Sequence, residues 1–127
     1  MQNPIRVLIV INPNRFAVGL VTALTVYPDI NHIGTVSDAN EAITFCNQFN
    51  PDVVLMELFM AESDSISTIH EIQRNQPHIQ IITLSNFSED NLVYQARQAG
   101  AAGNIEIGDS ADSIVTKICK AFEMTDS

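Results

Sequence analysis

A chain of 127 residues is long enough for one compact domain with a single hydrophobic core, and it is too short for two. Hydrophobic residues make up 46% of the chain and charged residues 17%, a balance typical of a globular protein rather than a disordered one. The formal charge is −9, from 15 acidic and 6 basic residues. Because the basic residues are few and scattered, nucleic-acid binding by this segment is not expected.

The first elements follow from the apolar run Ile5–Ile11, which is almost entirely β-branched or Leu. Such a continuous run is typical of a strand that is covered on both faces, as in parallel sheets. Asn12 can cap a first helix, with Pro13 at the first helical position, where its missing N–H is not needed. A weaker, edge-like strand is predicted over Ile33–Val36, and Ser37 is the expected cap of a second helix.

The middle of the chain repeats the alternation of strand and helix. Asp52–Met56 and Gln80–Leu84 are buried-strand patterns like the first one. Between them, apolar residues at helical spacing predict the inner face of a third helix: Ile66, Ile69 and Ile72.

The last part of the chain predicts a fourth helix, a short strand and a fifth helix. Ser88 is the expected cap of the fourth helix, which should stop at Gly100, because glycine readily takes the left-handed conformation at a helix end. A last strand is predicted over Ala101–Ile107, and Ser110 should begin the final helix.

Five strand–helix units of about 25 residues predict a parallel sheet with right-handed crossovers and helices on both faces. In such sheets, ligands bind beyond the carboxyl ends of the strands. The positions where chemistry is expected are therefore Ile11–Asn12, Glu57–Phe59, Ser85–Asn86 and Asn104–Ile107.

Three segments resemble receiver domains of two-component response regulators, in the manner of the NarL/FixJ subfamily. They are RVLIV at 6–10, PDVVLMEL at 51–58 and QAGAAG at 98–103. The resemblance spans essentially the whole chain and implies a flavodoxin-like (CheY-like) doubly wound α/β fold. That fold has a five-stranded parallel sheet in the order 2-1-3-4-5 and five helices. Residues 1–123 would form the receiver domain, and 124–127 would be a C-terminal tail or the start of a linker.

The resemblance also implies where a phosphoryl-transfer site should be. Active receivers use an aspartate at the end of strand three as the phosphoryl acceptor, and an acidic pair at the end of strand one holds Mg²⁺. A hydroxyl ending strand four and a lysine ending strand five bind the phosphoryl oxygens. On this pattern Glu57 occupies the acceptor position and Ser85 supplies the switch hydroxyl, whereas Ile11 and Asn12 replace the acidic pair and Ile107 replaces the lysine.

Further departures weaken this site. Asn104 occupies the aromatic switch position, and the turn after the acceptor reads Met60-Ala61-Glu62. Mg²⁺ prefers several hard oxygen ligands, which an isoleucine does not offer. We therefore expect no catalytic residues, no enzyme activity, no cofactor, and weak or absent Mg²⁺ binding.

Three interpretations of Glu57 stay open. Its charge could stand in for an acyl phosphate, with Ser85 within reach. Alternatively, Ile11 and Ile107 could desolvate it and raise its pKa, so that protonation becomes a signal. The third interpretation is a vestigial acid that points to solvent.

The outer face of the first helix is unusual, since Arg15 is the only ionisable residue in that helix. An uncharged helix face on an acidic protein suggests a covered surface, in a homodimer or against another protein. The residues expected on this face are Ala17, Val18, Val21, Thr22 and Thr25.

The sequence therefore favours a degenerate receiver that works without phosphorylation, through protein contacts of the first helix or of the face formed by the fourth and fifth helices. The resemblance implies protein partners, among them a sensor kinase or an output domain in a longer chain. The sequence has no signal-peptide pattern and no run long enough to span a membrane, so a cytoplasmic location without membrane contact is expected. Two alternatives stay open: a receiver that still accepts phosphate on Glu57 with weak metal binding, and a small-ligand-binding flavodoxin-like module. Cys46 and Cys119 are expected to be buried free thiols.

Overall fold

The computed structural model describes residues 3–12, 15–58, 64–85 and 90–126. The strands and helices alternate along the chain in ten elements: β1 Ile5–Val10, α1 Arg15–Thr25, β2 Ile30–Val36, α2 Ala39–Phe49, β3 Val53–Glu57, α3 Ser65–Asn75, β4 Gln80–Ser85, α4 Asp90–Ala99, β5 Gly103–Glu106 and α5 Ala111–Asp126. All neighbouring strands pair in parallel, in the order β2-β1-β3-β4-β5. The predicted fold and strand order are confirmed.

The sheet has a hydrophobic core on each face, because β1 and β3 each contain an unbroken run of four apolar residues. In β1, Val7 and Ile9 pack into the cluster beneath α1 and α5, whereas Leu8 and Val10 pack into the cluster beneath α2, α3 and α4. All four side chains are fully buried. Alternate side chains of a strand point to opposite faces, so a strand covered on both sides needs an unbroken apolar run.

Helix ends show which side chains decide the element boundaries. The N-cap of α2 is Asp38, whose carboxylate accepts a hydrogen bond from the Glu41 N–H at 2.8 Å. The expectation that Ser37 caps this helix is wrong, because the carboxylate one residue later has the extended backbone that an N-cap requires. Ser110 does cap α5, as its Oγ accepts from the Ser113 N–H at 3.1 Å.

The predicted end of α4 is confirmed. The helix stops at Ala99, and Gly100 has a φ of +124°, which L side chains rarely adopt. A Cβ at this position would also lie 2.7 Å from Cγ of Gln73. Pro13, predicted at the first helical position of α1, and Ser88, the predicted cap of α4, lie outside the described residues.

At the end of the chain, α5 continues to Asp126, so the expected domain limit after Glu123 falls within this helix. Both cysteines are free, as expected, but only Cys46 is buried, and Cys119 is half-buried. Burial raises the pKa of the Cys46 thiol to about 12. No helix in the described part of the chain is long and apolar enough to cross a membrane.

Candidate functional site

The ends of β1 and β3 meet at the carboxyl edge of the sheet, where the sequence predicts the site. The backbone N–H of Asn12, two residues after β1, donates to Oε1 of Glu57 at 3.3 Å. Glu57 is the last residue of β3 and is half-buried. The structure therefore brings the acceptor-equivalent carboxylate against the position of the acidic pair.

The two isoleucines at this edge are hydrocarbon where active receivers carry charge. Ile11 is 1% exposed and belongs to the core cluster beneath α1 and α5. Ile107 follows β5 and is half-buried, and its N–H donates to the Ser85 carbonyl at 2.9 Å. Neither side chain can bind a cation or a phosphoryl oxygen.

Ser85 is held by Asn104 on the neighbouring strand. Ser85 is 2% exposed, and its hydroxyl donates to Oδ1 of Asn104 at 3.1 Å. The same Oδ1 accepts from the hydroxyl of Thr83, a fully buried residue, at 2.7 Å. A carbonyl oxygen has two lone pairs, so one Asn104 amide satisfies both hydroxyl donors.

The alternation of side chains along the strands separates Glu57 from Ser85. Leu55, two residues before Glu57, packs beneath α1 and α5, whereas Ile81, four residues before Ser85, packs beneath α2, α3 and α4. Glu57 and Ser85 are therefore directed toward opposite faces of the sheet. In addition, the single proton of the Ser85 hydroxyl is donated to Asn104. This geometry disfavours the interpretation in which Glu57 reaches Ser85.

Three residues of this region were not anticipated from the sequence. The Ser65 hydroxyl donates to the Glu57 carbonyl at 2.9 Å, Thr83 shares the Asn104 amide, and Nζ of Lys117 donates to the Asn104 carbonyl at 3.1 Å. The position of the Thr83 side chain could have been predicted from its spacing, because it lies two residues before Ser85 and therefore on the same face of β4. The contacts of Ser65 and Lys117 depend on how α3 and α5 dock on the sheet.

The residues present do not fit the Mg²⁺ ion that the receiver fold implies. Ile11 is buried in the core and offers no oxygen ligand at a position where the family pattern places an acid. The Glu57 carbonyl accepts from Ser65. Within the described ranges, no three His, Cys, Asp or Glu side chains form a group that could hold a metal ion. Phe59, one of the positions where chemistry is predicted, lies outside these ranges.

The outer face of α1 is exposed much as the sequence predicts. Val18 is 68% exposed, and Thr22 and Thr25 are exposed as well. Val21 is instead half-buried against the core, and Val26, which was not predicted, is 73% exposed directly after the helix. The side chain of Ala17 lies outside the described residues.

The fold and the position of this site define a class: doubly wound α/β domains that work at the carboxyl edge of a five-stranded parallel sheet. The family model for the response regulator receiver domain matches residues 7–119. The chain therefore belongs to the response regulator receiver domain family. It is a receiver domain of the two-component response regulator type.

The chain is similar in sequence to two curated regulatory proteins. It is 34% identical to the transcriptional regulatory protein LiaR of Bacillus subtilis (strain 168) over 123 residues, which are 97% of this chain and 54% of LiaR. It is 31% identical to the response regulator protein VraR of Staphylococcus epidermidis over 119 residues, 94% of this chain and 57% of VraR. The chain thus spans little more than half the length of these relatives.

Solved structures share the fold. The signal receiver domain of NarL from Mycobacterium tuberculosis superposes with a TM-score of 0.88 at 24% identity, covering 96% of this chain and 98% of that one. The response regulator domain of Thermotoga maritima CheB gives a TM-score of 0.84 at 24% identity, with 94% and 97% covered.

Proposed function

We propose that this receiver domain signals without being phosphorylated, through contacts with other proteins. The observation that carries the proposal is the burial of Ile11, which is 1% exposed where the family pattern places an acid for the metal. Mg²⁺ gives up its water ligands reluctantly and needs several hard oxygens in return. With hydrocarbon at this position, the metal that neutralises a transferring phosphoryl group has too few ligands.

Two other side chains, those of Glu57 and Ile107, support the proposal. The Glu57 carboxylate is one methylene longer than that of aspartate, which displaces its oxygens by roughly 1 Å from an in-line geometry. Phosphoryl transfer depends mainly on positioning and on electrostatic stabilisation of the developing charge. At the lysine position, Ile107 offers only a hydrocarbon side chain. We therefore propose that the described residues of this edge include no catalytic group and that the domain works without a cofactor.

The direct test is incubation with acetyl phosphate and Mg²⁺, followed by intact mass spectrometry. We expect no adduct on the natural chain. The control is the quadruple variant Ile11→Asp, Asn12→Asp, Glu57→Asp and Ile107→Lys, shown to be folded by circular dichroism. A stoichiometric, base-labile phosphate adduct on the natural chain that disappears in Glu57→Gln would overturn the proposal and favour phosphate acceptance on Glu57.

The small-ligand alternative makes a different prediction. A module that binds nucleotides at the strand ends should gain thermal stability when nucleotide is added, because a ligand of the native state stabilises it by mass action. We expect no such shift. A saturable rise in Tm with nucleotide, lost in Ser85→Ala or Glu57→Gln, would favour ligand binding.

We propose that α1 provides the contact surface. Residues 16–28 contain no Asp, Glu, Lys, Arg or His, on a chain whose formal charge is −9. Exposed residues at 18, 22, 25 and 26 follow helical spacing on the side opposite buried Leu20 and Leu24. An outer helix face that has exposed valines and no charge, on a chain this acidic, favours a covered surface. The partner is a protein, either a second copy of this chain or another polypeptide.

Light scattering over a range of concentrations, with Val18→Asp and Val26→Asp compared with Val18→Thr, tests this surface. Val18 and Val26 are better probes than Val21, whose half-buried side chain also supports the core. If the surface joins two copies, the aspartate variants shift the population to monomer and Val18→Thr much less. A strict monomer at high concentration, together with unchanged signalling output in both aspartate variants, would refute the surface.

A further inference from the structure

Asn104 connects three elements at once. Through Oδ1 it accepts the hydroxyls of Thr83 and Ser85 on β4, at 2.7 and 3.1 Å. Its main-chain carbonyl accepts Nζ of Lys117 on α5 at 3.1 Å. A single residue of β5 therefore contacts both the end of β4 and the last helix.

The outer edge of β5 is held by the same helix and the turn that precedes it. β5 is the outermost strand on its side of the sheet, so part of its backbone faces away from β4. The Asn104 carbonyl is covered by Lys117, and the Glu106 N–H donates to Oδ2 of Asp109 at 3.1 Å. Lys117 and Asp109 form an ion pair at 3.2 Å. The pair closes the turn between β5 and α5.

We infer that Asn104 is a positioning residue that fixes the end of β4, β5 and α5 in one arrangement, independent of what happens at Glu57. The inference rests on the proposed function, since a fixed corner, meaning the end of β4 together with β5 and the start of α5, suits a domain that signals without phosphate. Moving the Asn104 side chain breaks two hydrogen bonds together. It would also leave the hydroxyl of Ser85, a residue that is 2% exposed, without its acceptor, which is unfavourable. The Thr83 hydroxyl would keep only its longer bond to the Gly103 carbonyl, at 3.3 Å.

The test compares Asn104→Leu, which removes the acceptor, with Asn104→Asp, which keeps an oxygen for both hydroxyls. NMR-detected hydrogen exchange of the Ile107 N–H, which donates to the Ser85 carbonyl, reports opening of this corner. The Asn50 N–H, bonded to the Cys46 carbonyl at the end of α2, is the reference amide. A general loss of stability would accelerate both amides.

We expect Asn104→Leu to accelerate exchange at Ile107 roughly tenfold relative to Asn50, and Asn104→Asp to change this ratio less than twofold. An exposed asparagine on β2, in Asn31→Leu, is the matched control and should leave the ratio unchanged. An unchanged ratio in Asn104→Leu would overturn the inference, and so would equal acceleration in Asn104→Asp.

If Asn104→Leu does not fold, Ser85→Ala removes a single bond, and the same selective acceleration at Ile107 is expected. Lys117→Met tests the link to α5. In the double variant with Ser85→Ala, the acceleration of Ile107 exchange should differ from the product of the accelerations in the two single variants, because both act through Asn104. A simple product would refute that link. A phosphate adduct on the natural chain would remove the proposed function and leave these exchange results standing, so the two failures are distinguishable.

Discussion

The burial of Ile11 makes a quantitative prediction for the variant Ile11→Asp. This substitution restores the acidic residue of the family pattern at a side chain that is 1% exposed and packed in the cluster beneath α1 and α5. In an active receiver such an acid would serve the metal site. In this chain we expect it to destabilise the fold, because the position has become part of the core.

The magnitude follows from the burial. Truncating a buried isoleucine to alanine typically lowers the free energy of unfolding by about 2 to 5 kcal/mol, through lost transfer energy and the cavity that remains. An introduced carboxyl that lacks a partner adds about 1 to 3 kcal/mol. We expect Ile11→Asp to lose roughly 3 to 8 kcal/mol at neutral pH, the sum of these two contributions and a large part of the usual stability of a small domain. Ile11→Val, the matched control, should lose only about 0.5 to 1.5 kcal/mol.

The penalty should depend on pH with a defined sign. Desolvation raises the pKa of the introduced carboxyl in the folded state above its value of about 3.9 in the unfolded chain. Between those two pKa values the folded state binds more protons, so its stability falls as pH rises. Below about pH 4 both states are protonated, and only the packing part of the penalty remains.

Urea unfolding followed by circular dichroism, at a series of pH values, measures these quantities. The difference between Ile11→Asp and Ile11→Val should grow from acid to neutral pH. A variant as stable as the natural chain at pH 7, with no dependence of the difference on pH, would refute the reasoning. It would mean that the side chain at this position can turn to solvent and serve a metal.

Three further predictions concern other parts of the molecule. In urea unfolding, Gly100→Ala should destabilise the fold by about 1 to 3 kcal/mol because of the positive φ at this position. Gly19→Ala should instead stabilise it by about 0.5 to 1 kcal/mol, because Gly19 lies in the exposed part of α1 and nothing is within 4 Å of the new Cβ. Cys46, with a pKa of about 12, should resist thiol reagents in the native state at pH 8. Above the ordinary thiol pKa only the unfolded thiol ionises, so the free energy of unfolding should fall as pH rises. This fall should be smaller in Cys46→Ala. The hydrogen bond to Asp112 raises the pKa of Tyr27, so NMR titration should show that pKa fall toward its ordinary value in Asp112→Asn; no change would exclude this contact in solution.

The strands and the edge that holds the site could be predicted because they depend on local patterns, whereas the strand order was implied by the resemblance to receiver domains. Continuous apolar runs such as Val7–Val10 identify buried parallel strands, and the carboxyl ends of such strands meet at one edge. Glu57 and Asn12 are hydrogen-bonded at that edge. Element limits were less certain: β2 begins at Ile30 rather than at Ile33, since pairing with β1 extends an edge strand beyond its apolar part.

The sequence by itself determined the family resemblance, which implies the sheet order, and the loss of charged groups at Ile11 and Ile107, since both depend on residue type and spacing. Only the tertiary structure decided that Asn104 holds Thr83 and Ser85 while its carbonyl accepts Lys117. Those contacts join residues that are 13 to 21 positions apart in the chain. Their geometry depends on strand register and on how α5 docks against the sheet edge, which no local pattern encodes.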